Sequence, residues 1–225
     1  MLAAGDANKP ESRVALESLC RRYWYPLYAE VRFAGYGADE SRDLTQGFFA
    51  QLLERKALAV ASPERGKFRN FLKTAIKHYL ANQADRERAL KRGGEVSIVA
   101  LDFEGAERQY ALELGQDLTP DKVFDRRWAR ALLEEVLDHL REEMERAGAL
   151  ERFERLSPFL ITPDASPGYR DLAIRWDTTE AAIKMAVHRL RRKFGKLLRL
   201  EVARIVADPG QVNDEIRFLL SALGT

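Results

Sequence analysis

The chain has 225 residues and a formal net charge of +2, with 46% apolar and 32% charged residues. That is enough apolar content for packed cores and marks a soluble, helix-rich surface in one large or two small domains. The single cysteine, Cys20, excludes an intrachain disulfide and a cysteine-based zinc site, and no apolar run approaches a membrane span.

The near-neutral total hides segregated charge. Positions 65, 67, 69, 73, 77, 86, 88, 91 and 92 are basic against Asp85 and Glu87, a local +7 between Arg65 and Arg92. Gly93 to Asp125 carries acids at 95, 102, 104, 107, 113, 117, 121 and 125 against Arg108 and Lys122, a local −6. A second basic block follows further on. Two basic blocks separated by an acidic one point to two nucleic-acid contacts joined by a segment that avoids DNA.

Residues 1–10 are small and polar and are expected to fray. No signal peptide opens the chain, so the expected compartment is the cytoplasm. A helix is expected from about Glu11, with Val14, Leu16, Leu19, Tyr23 and Trp24 apolar and Cys20 a buried thiol. Pro26 interrupts it, Leu27 to Ala34 resumes, and Gly35-Tyr36-Gly37 stops it. Asp39 caps the next helix, Glu40 to Lys56, which turns Leu44, Phe48, Leu52 and Leu53 to a core. Gly47 inside it costs helix propensity, roughly 1 kcal/mol against alanine, and close approach of another helix would explain it.

A loop with Pro63 leads to a long helix from about Lys67 to Arg92. Phe68, Phe71, Leu72, Ala75, Ile76 and Tyr79 form its apolar side, and Arg69, Lys73 and Lys77 form a ladder at i, i+4 and i+8. Basic residues interleaved with aromatics suit single-stranded DNA, whose phosphates meet the charges and whose bases stack on rings. The plainer alternative makes the aromatics core and the lysines solvated. Gly93-Gly94 ends this region, and the acidic stretch to Pro120 reads as a linker.

Thr119-Pro120-Asp121 is a helix start with proline at the first helical position. The helix of roughly Asp121 to Ala147 brings Phe124, Trp128, Leu132, Val136 and Leu140 into one row, and Gly148 closes it. A short helix, Glu151 to Phe159, and a Pro/Ser/Gly-rich loop lead to Tyr169 to Phe194, which reads as two helices around a tight turn. Thr178 is the expected cap of the second helix. Ile183, Val187, Leu190 and Phe194 make one apolar stripe, so Met185, His188, Arg189 and Arg192 point outward, flanked by Lys184 and Arg191. Lys184 to Arg199 holds seven basic residues (184, 189, 191, 192, 193, 196, 199) and no acidic one. A helix pair with a basic second helix is what a helix-turn-helix needs in a major groove; a core helix with a solvated basic face is the alternative. The helix is expected to run to Ala207, and Asp208-Pro209 starts a last amphipathic helix carrying Ile216, Phe218, Leu219 and Leu220.

Catalytic patterns are missing. The sequence has no glycine-rich phosphate loop followed by Lys and Ser/Thr, no Gly-x-Ser-x-Gly and no His-Glu-x-x-His. Its three histidines, His78, His139 and His188, fall on three different expected helices. The reading is therefore non-enzymatic, with no catalytic residues, no metal and no cofactor.

Two sets of segments carry a family resemblance together. The first is Trp24-Tyr-Pro-Leu-Tyr28, Asp43-Leu-Thr-Gln-Gly-Phe-Phe49, and Gly66-Lys-Phe-Arg-Asn-Phe-Leu72 running on to Lys91-Arg-Gly-Gly94. The second is Tyr169-Arg-Asp-Leu-Ala173 with Ala182-Ile-Lys-Met-Ala-Val-His-Arg-Leu-Arg-Arg192. In that order and spacing they resemble bacterial RNA polymerase sigma factors of the extracytoplasmic-function group. The resemblance implies an all-α chain: a polymerase-binding and promoter-melting domain (1–95), a flexible acidic linker (96–120), a helix-turn-helix domain (121–207) and a C-terminal extension (208–225). It implies core RNA polymerase and promoter DNA, duplex and single-stranded, as partners, and it allows an inhibitory anti-sigma partner.

Carried over by motif, Asp43, Gln46, Phe49 and Gln51 fall in the polymerase-binding helix. Lys73, Lys77, His78, Asn82 and Arg86 fall in the helix that melts the downstream element and holds the displaced strand. Lys184, Met185, His188 and Arg189 fall where bases of the upstream element are read, with Thr178, Thr179, Arg191 and Arg192 nearer phosphates. Three features depart from the pattern: the turn is Trp176-Asp177 where many helix-turn-helix turns carry glycine, His78 stands where many relatives carry asparagine, and the last helix extends beyond the minimal family. Two other readings are a helix-turn-helix regulator acting on duplex DNA without polymerase, and a helical interaction module such as an antagonist of a sigma factor.

Overall fold

The structure is a computed structural model that describes residues 23–54, 68–89, 104–105, 107–108, 110, 119–161, 168–206 and 208–224, without the side chains of 53–54, 84–89 and 161. The expected first helix up to residue 22, Cys20 included, most of the acidic stretch and the side chain of Arg86 lie outside the described residues. The fold is all-α. Among the described residues the continuous helices are α1 (23–33), α2 (Ala38–Glu54), α3 (Phe68–Ala89), α4 (Pro120–Arg146), α5 (Leu150–Leu156), α6 (Pro158–Ile161), α7 (Tyr169–Arg175), α8 (Glu180–Ile205) and α9 (Val212–Leu223), with a 3-10 turn at Pro209–Gln211 before α9 and further helical residues at 104–105, 107–108 and 110.

The described residues form two compact units. One joins those up to Leu132 with those from Val202 onward; the other is Leu133–Glu201. The boundaries fall inside α4 and α8, whereas the sequence placed a divide at 96–120.

In the first unit an aromatic cluster fills the centre. Tyr23 stacks on Trp128 at 3.8 Å, with Phe68 and Phe124 against the same indole. Leu44, Phe48 and Leu52 of α2 are buried as their spacing predicts. Two expectations are corrected. Helix α1 continues through Pro26 rather than breaking there. Part of the acidic stretch is also folded onto α1. Tyr110 is buried against Phe33, Arg32 lies over the Tyr110 ring, and Glu107 accepts hydrogen bonds from Tyr28 and Arg32. Burial, then the Glu107 hydrogen bond, pushes the Tyr28 hydroxyl well above its ordinary pKa.

Gly47 has a packing reason. A methyl group there would stand 2.5 Å from the Tyr79 hydroxyl of α3, so α2 and α3 meet where α2 has no side chain.

In the second unit Leu140, Phe153, Leu156, Phe159, Leu172, Ile183, Val187 and Leu190 form one core, with Trp176 and Phe194 packed at its edge. Helix α4 ends in a Schellman motif: Gly148 takes φ = 67°, and Ala149 N–H reaches back to the Met144 carbonyl at 2.8 Å.

Candidate nucleic-acid interface

The turn between α7 and α8 has the same backbone solution without glycine. Asp177 takes φ = 48°, Thr178 N–H donates to the Ala173 carbonyl at 2.9 Å, and Asp177 N–H donates to the Ile174 carbonyl at 3.3 Å. These are the paired bonds of a Schellman motif, and aspartate is one of the few residues with a side chain that visits this region readily. The expected cap moves by one residue. Thr179, not Thr178, precedes the helix, and its hydroxyl oxygen accepts from Ala182 N–H at 3.2 Å.

Helix α8 sorts its residues by angle. Ile183, Ala186, Val187 and Leu190 are buried, while Met185, His188, Arg189, Arg192, Lys196 and Arg199 are exposed on the opposite side. Met185 is 56% exposed, an unusual position for a large apolar side chain on a polar face. The flanking cations are tied to the scaffold. Arg191 donates to the Phe159 carbonyl at 2.7 Å, and Lys193 pairs with Glu143 at 2.6 Å. Lys184 pairs with Glu180 one turn earlier at 2.6 Å. That hydrogen bond and the opposite charge raise the lysine's pKa and lower the glutamate's. Among the described residues, Arg189, Arg192 and Lys196 have no ion pair or hydrogen bond from their side chains. Thr178 is exposed just before the start of α8.

The residues expected on α3 have a different setting. Arg69 is 7% exposed, paired with Asp125 and 3.6 Å from Glu215, with the Phe218 ring beneath its guanidinium at 3.9 Å. Lys73 is 17% exposed and 2.6 Å from Asp121. Lys77 is 51% exposed and lies 3.3 Å from Asp121 and 3.4 Å from Glu30. Partial burial pulls the Lys77 pKa down, but Glu30 and Asp121 more than offset this and the net shift is upward. The hydrogen bond from Lys73 holds the Asp121 carboxyl below its ordinary value. The ladder that the sequence turned outward is thus neutralised from within. His78 and Asn82 are exposed and join Asn70 and Thr74 in a polar row at four-residue spacing.

On α2, Asp43 is exposed and Gln46 and Gln51 are half-buried. Phe49 is buried beside Phe48 and belongs to the core. Sequence reasoning missed the acids Asp121, Asp125 and Glu215 that meet the α3 ladder. Each was visible only as a charge on its own helix.

Comparison with family models, curated proteins and solved structures finds no match. No helix among the described residues is long and apolar enough to cross a membrane, and no group of three or more His, Cys, Asp or Glu among them is placed to hold a metal ion.

Proposed function

We propose that this chain is a sigma factor of the extracytoplasmic-function kind: a non-enzymatic initiation factor that brings core RNA polymerase to specific promoters. The observation that carries the reading is the outer face of α8. A capped helix buries one side in the core of its unit and presents Met185, His188, Arg189, Arg192 and Lys196 to solvent. In a major groove Arg189 suits bidentate donation to guanine, His188 donation to a base edge, and Met185 contact with a thymine methyl. Arg192 and the N-terminus of α8 suit phosphates. Asp43 on the exposed side of α2, with Gln46 beside it, is the proposed polymerase contact. Catalysis belongs to the polymerase, and the factor works by binding energy.

The test is transcription in vitro with core polymerase on a promoter library, with Arg189→Ala and Arg192→Ala alongside. Arg189→Ala is expected to relax base preference at one upstream position, at about 1–3 kcal/mol, while Arg192→Ala weakens binding evenly across sequences. Equal loss on all sequences for both variants would refute the assignment of Arg189.

A second reading, a regulator that binds duplex DNA without polymerase, draws support from α2 and α3. Phe49 is buried, and Lys73 and Lys77 are ion-paired. Co-purification with core polymerase separates the two. If Asp43→Ala with Gln46→Ala leaves polymerase affinity unchanged, the second reading gains.

A further inference from the structure

Four carboxylates from three helices converge on one row of cations. Glu30 of α1, Asp121 and Asp125 of α4 and Glu215 of α9 meet Arg69, Lys73 and Lys77 of α3. The row runs i, i+4, i+8, and at 3.6 residues per turn such a row drifts about 40° around the helix at each step. The drift carries it from the buried side to the surface, which is why exposure climbs from 7% to 17% to 51%. The sealed end is held by Glu215, itself only 1% exposed. The open end is held by Asp121, which is 62% exposed and bridges both lysines, while the buried Glu30 lies 3.4 Å from Lys77 on its inner side.

Those two ends differ physically. An ion pair walled from water is costly to break, because each partner is left buried and uncompensated. A pair with one partner in solvent, as Asp121 is, contributes less and is screened by salt. One oxygen, Asp121 Oδ1, accepts from both lysines, at 2.6 Å and 3.3 Å. A phosphate oxygen in its place would accept the same two hydrogen bonds.

We propose that Asp121 is an internal phosphate mimic that masks a single-strand-binding subsite at Lys73 and Lys77, so that a nucleic-acid phosphodiester must displace it before α3 engages the strand. The inference rests on the reading of the chain as a nucleic-acid-binding protein. It adds that α3 is closed by default, and that its exposed polar row of Asn70, Thr74, His78 and Asn82 remains accessible while the cations are occupied.

The experiment uses the full chain and fluorescence anisotropy with a labelled single-stranded oligodeoxythymidine and, separately, a mixed-sequence duplex. Asp121→Asn is expected to tighten single-strand binding about tenfold, the equivalent of one charge-assisted hydrogen bond regained. The slope of log affinity against log salt should steepen by about 0.7 for each lysine released. Asp121→Ser must reproduce the gain, and Lys77→Ala added to Asp121→Asn must reduce it. Glu40→Gln makes the same charge change at an exposed site on α2 and sets the background, expected within about twofold. Glu215→Gln at the sealed end should match that background in binding and lower the melting temperature.

A gain for Asp121→Asn no larger than for Glu40→Gln overturns the proposal, as does a gain that survives loss of Lys77. Duplex binding, assigned to α8, should not change with Asp121. If duplex binding persists while the single strand is ignored by Asp121→Asn, the masking fails alone. If no variant binds either probe, the nucleic-acid reading falls with it.

Discussion

Gly47→Ala should reverse the sign of its effect when one oxygen atom is removed from the opposite helix. In an unobstructed helix interior, alanine gains about 1 kcal/mol over glycine. Here the new methyl would stand 2.5 Å from the Tyr79 hydroxyl oxygen and 3.6 Å from the ring carbon that bears it. The first distance is a severe overlap and the second an ordinary contact. Tyr79 is buried, and its hydroxyl accepts from Gln83 at 2.8 Å, so the ring is poorly free to retreat. Overpacking of this kind costs about 1–3 kcal/mol. Gly47→Ala alone is therefore expected to be destabilising by up to about 2 kcal/mol, after the propensity gain is subtracted.

Tyr79→Phe deletes the overlap. It should cost about 1 kcal/mol through the lost hydrogen bond. Adding Gly47→Ala to Tyr79→Phe should then stabilise by about 1 kcal/mol, raising the melting temperature by about 2–4 °C for a chain of this size. Urea unfolding followed by far-ultraviolet circular dichroism on the four proteins gives the coupling, expected at about 1–3 kcal/mol. A Gly47→Ala effect of the same sign and size in both backgrounds would refute the contact between α2 and α3.

Thr179→Ala should lose about 1 kcal/mol of stability while Thr178→Ala loses less than about 0.5, because only the Thr179 hydroxyl caps α8; equal effects in urea unfolding would contradict the shifted cap. Asp177→Val should cost about 1–2 kcal/mol, since a β-branched residue is strained at positive φ, while Asp177→Asn stays within about 0.5; a tolerated valine would mean that the turn has another geometry. The pairing of Asp121 with Lys73 and then Lys77, and of Lys77 with Glu30 and then Asp121, should give stability a pH dependence at both extremes. Asp121 titrates lower folded than unfolded, so its contribution is present above its ordinary value of 3.8 and disappears as pH falls through the folded value. Lys77 titrates higher folded, so its contribution is present below 10.5 and is lost as pH rises through the folded value. Melting temperatures across pH should show Asp121→Asn flattening the acid limb and Lys77→Ala the alkaline one, and limbs unchanged in both variants would refute the pairing.

The all-α class and the apolar rows of α2, α4 and α8 were legible in the sequence, because each is a local periodicity that one helix declares alone. The outward set on α8 was legible for the same reason. Arg69 was not. Equal spacing made it look like Lys73 and Lys77, although it shares a face with Leu72, Ile76 and Leu80 and is buried with them. Counting angle along the row would have exposed this; counting charges did not. The docking of Glu107 and Tyr110 on α1 joins residues more than seventy positions apart and leaves no periodic trace. The one-residue shift of the α8 cap turned on Asp177, where two adjacent threonines offered the same chemistry and only backbone dihedrals chose between them.

Helix α8 keeps its two inventories apart. The residues that hold its unit together face inward, and the flanking cations Arg191 and Lys193 bind it to α6 and α4. Met185, His188, Arg189, Arg192 and Lys196 contribute almost nothing to that framework. Their identities are therefore free to drift or be redesigned without a matching repair of the core. On the proposed reading, a chain built this way can acquire a new recognition preference by single substitutions with little effect on folding, so specificity can evolve faster than the scaffold that displays it.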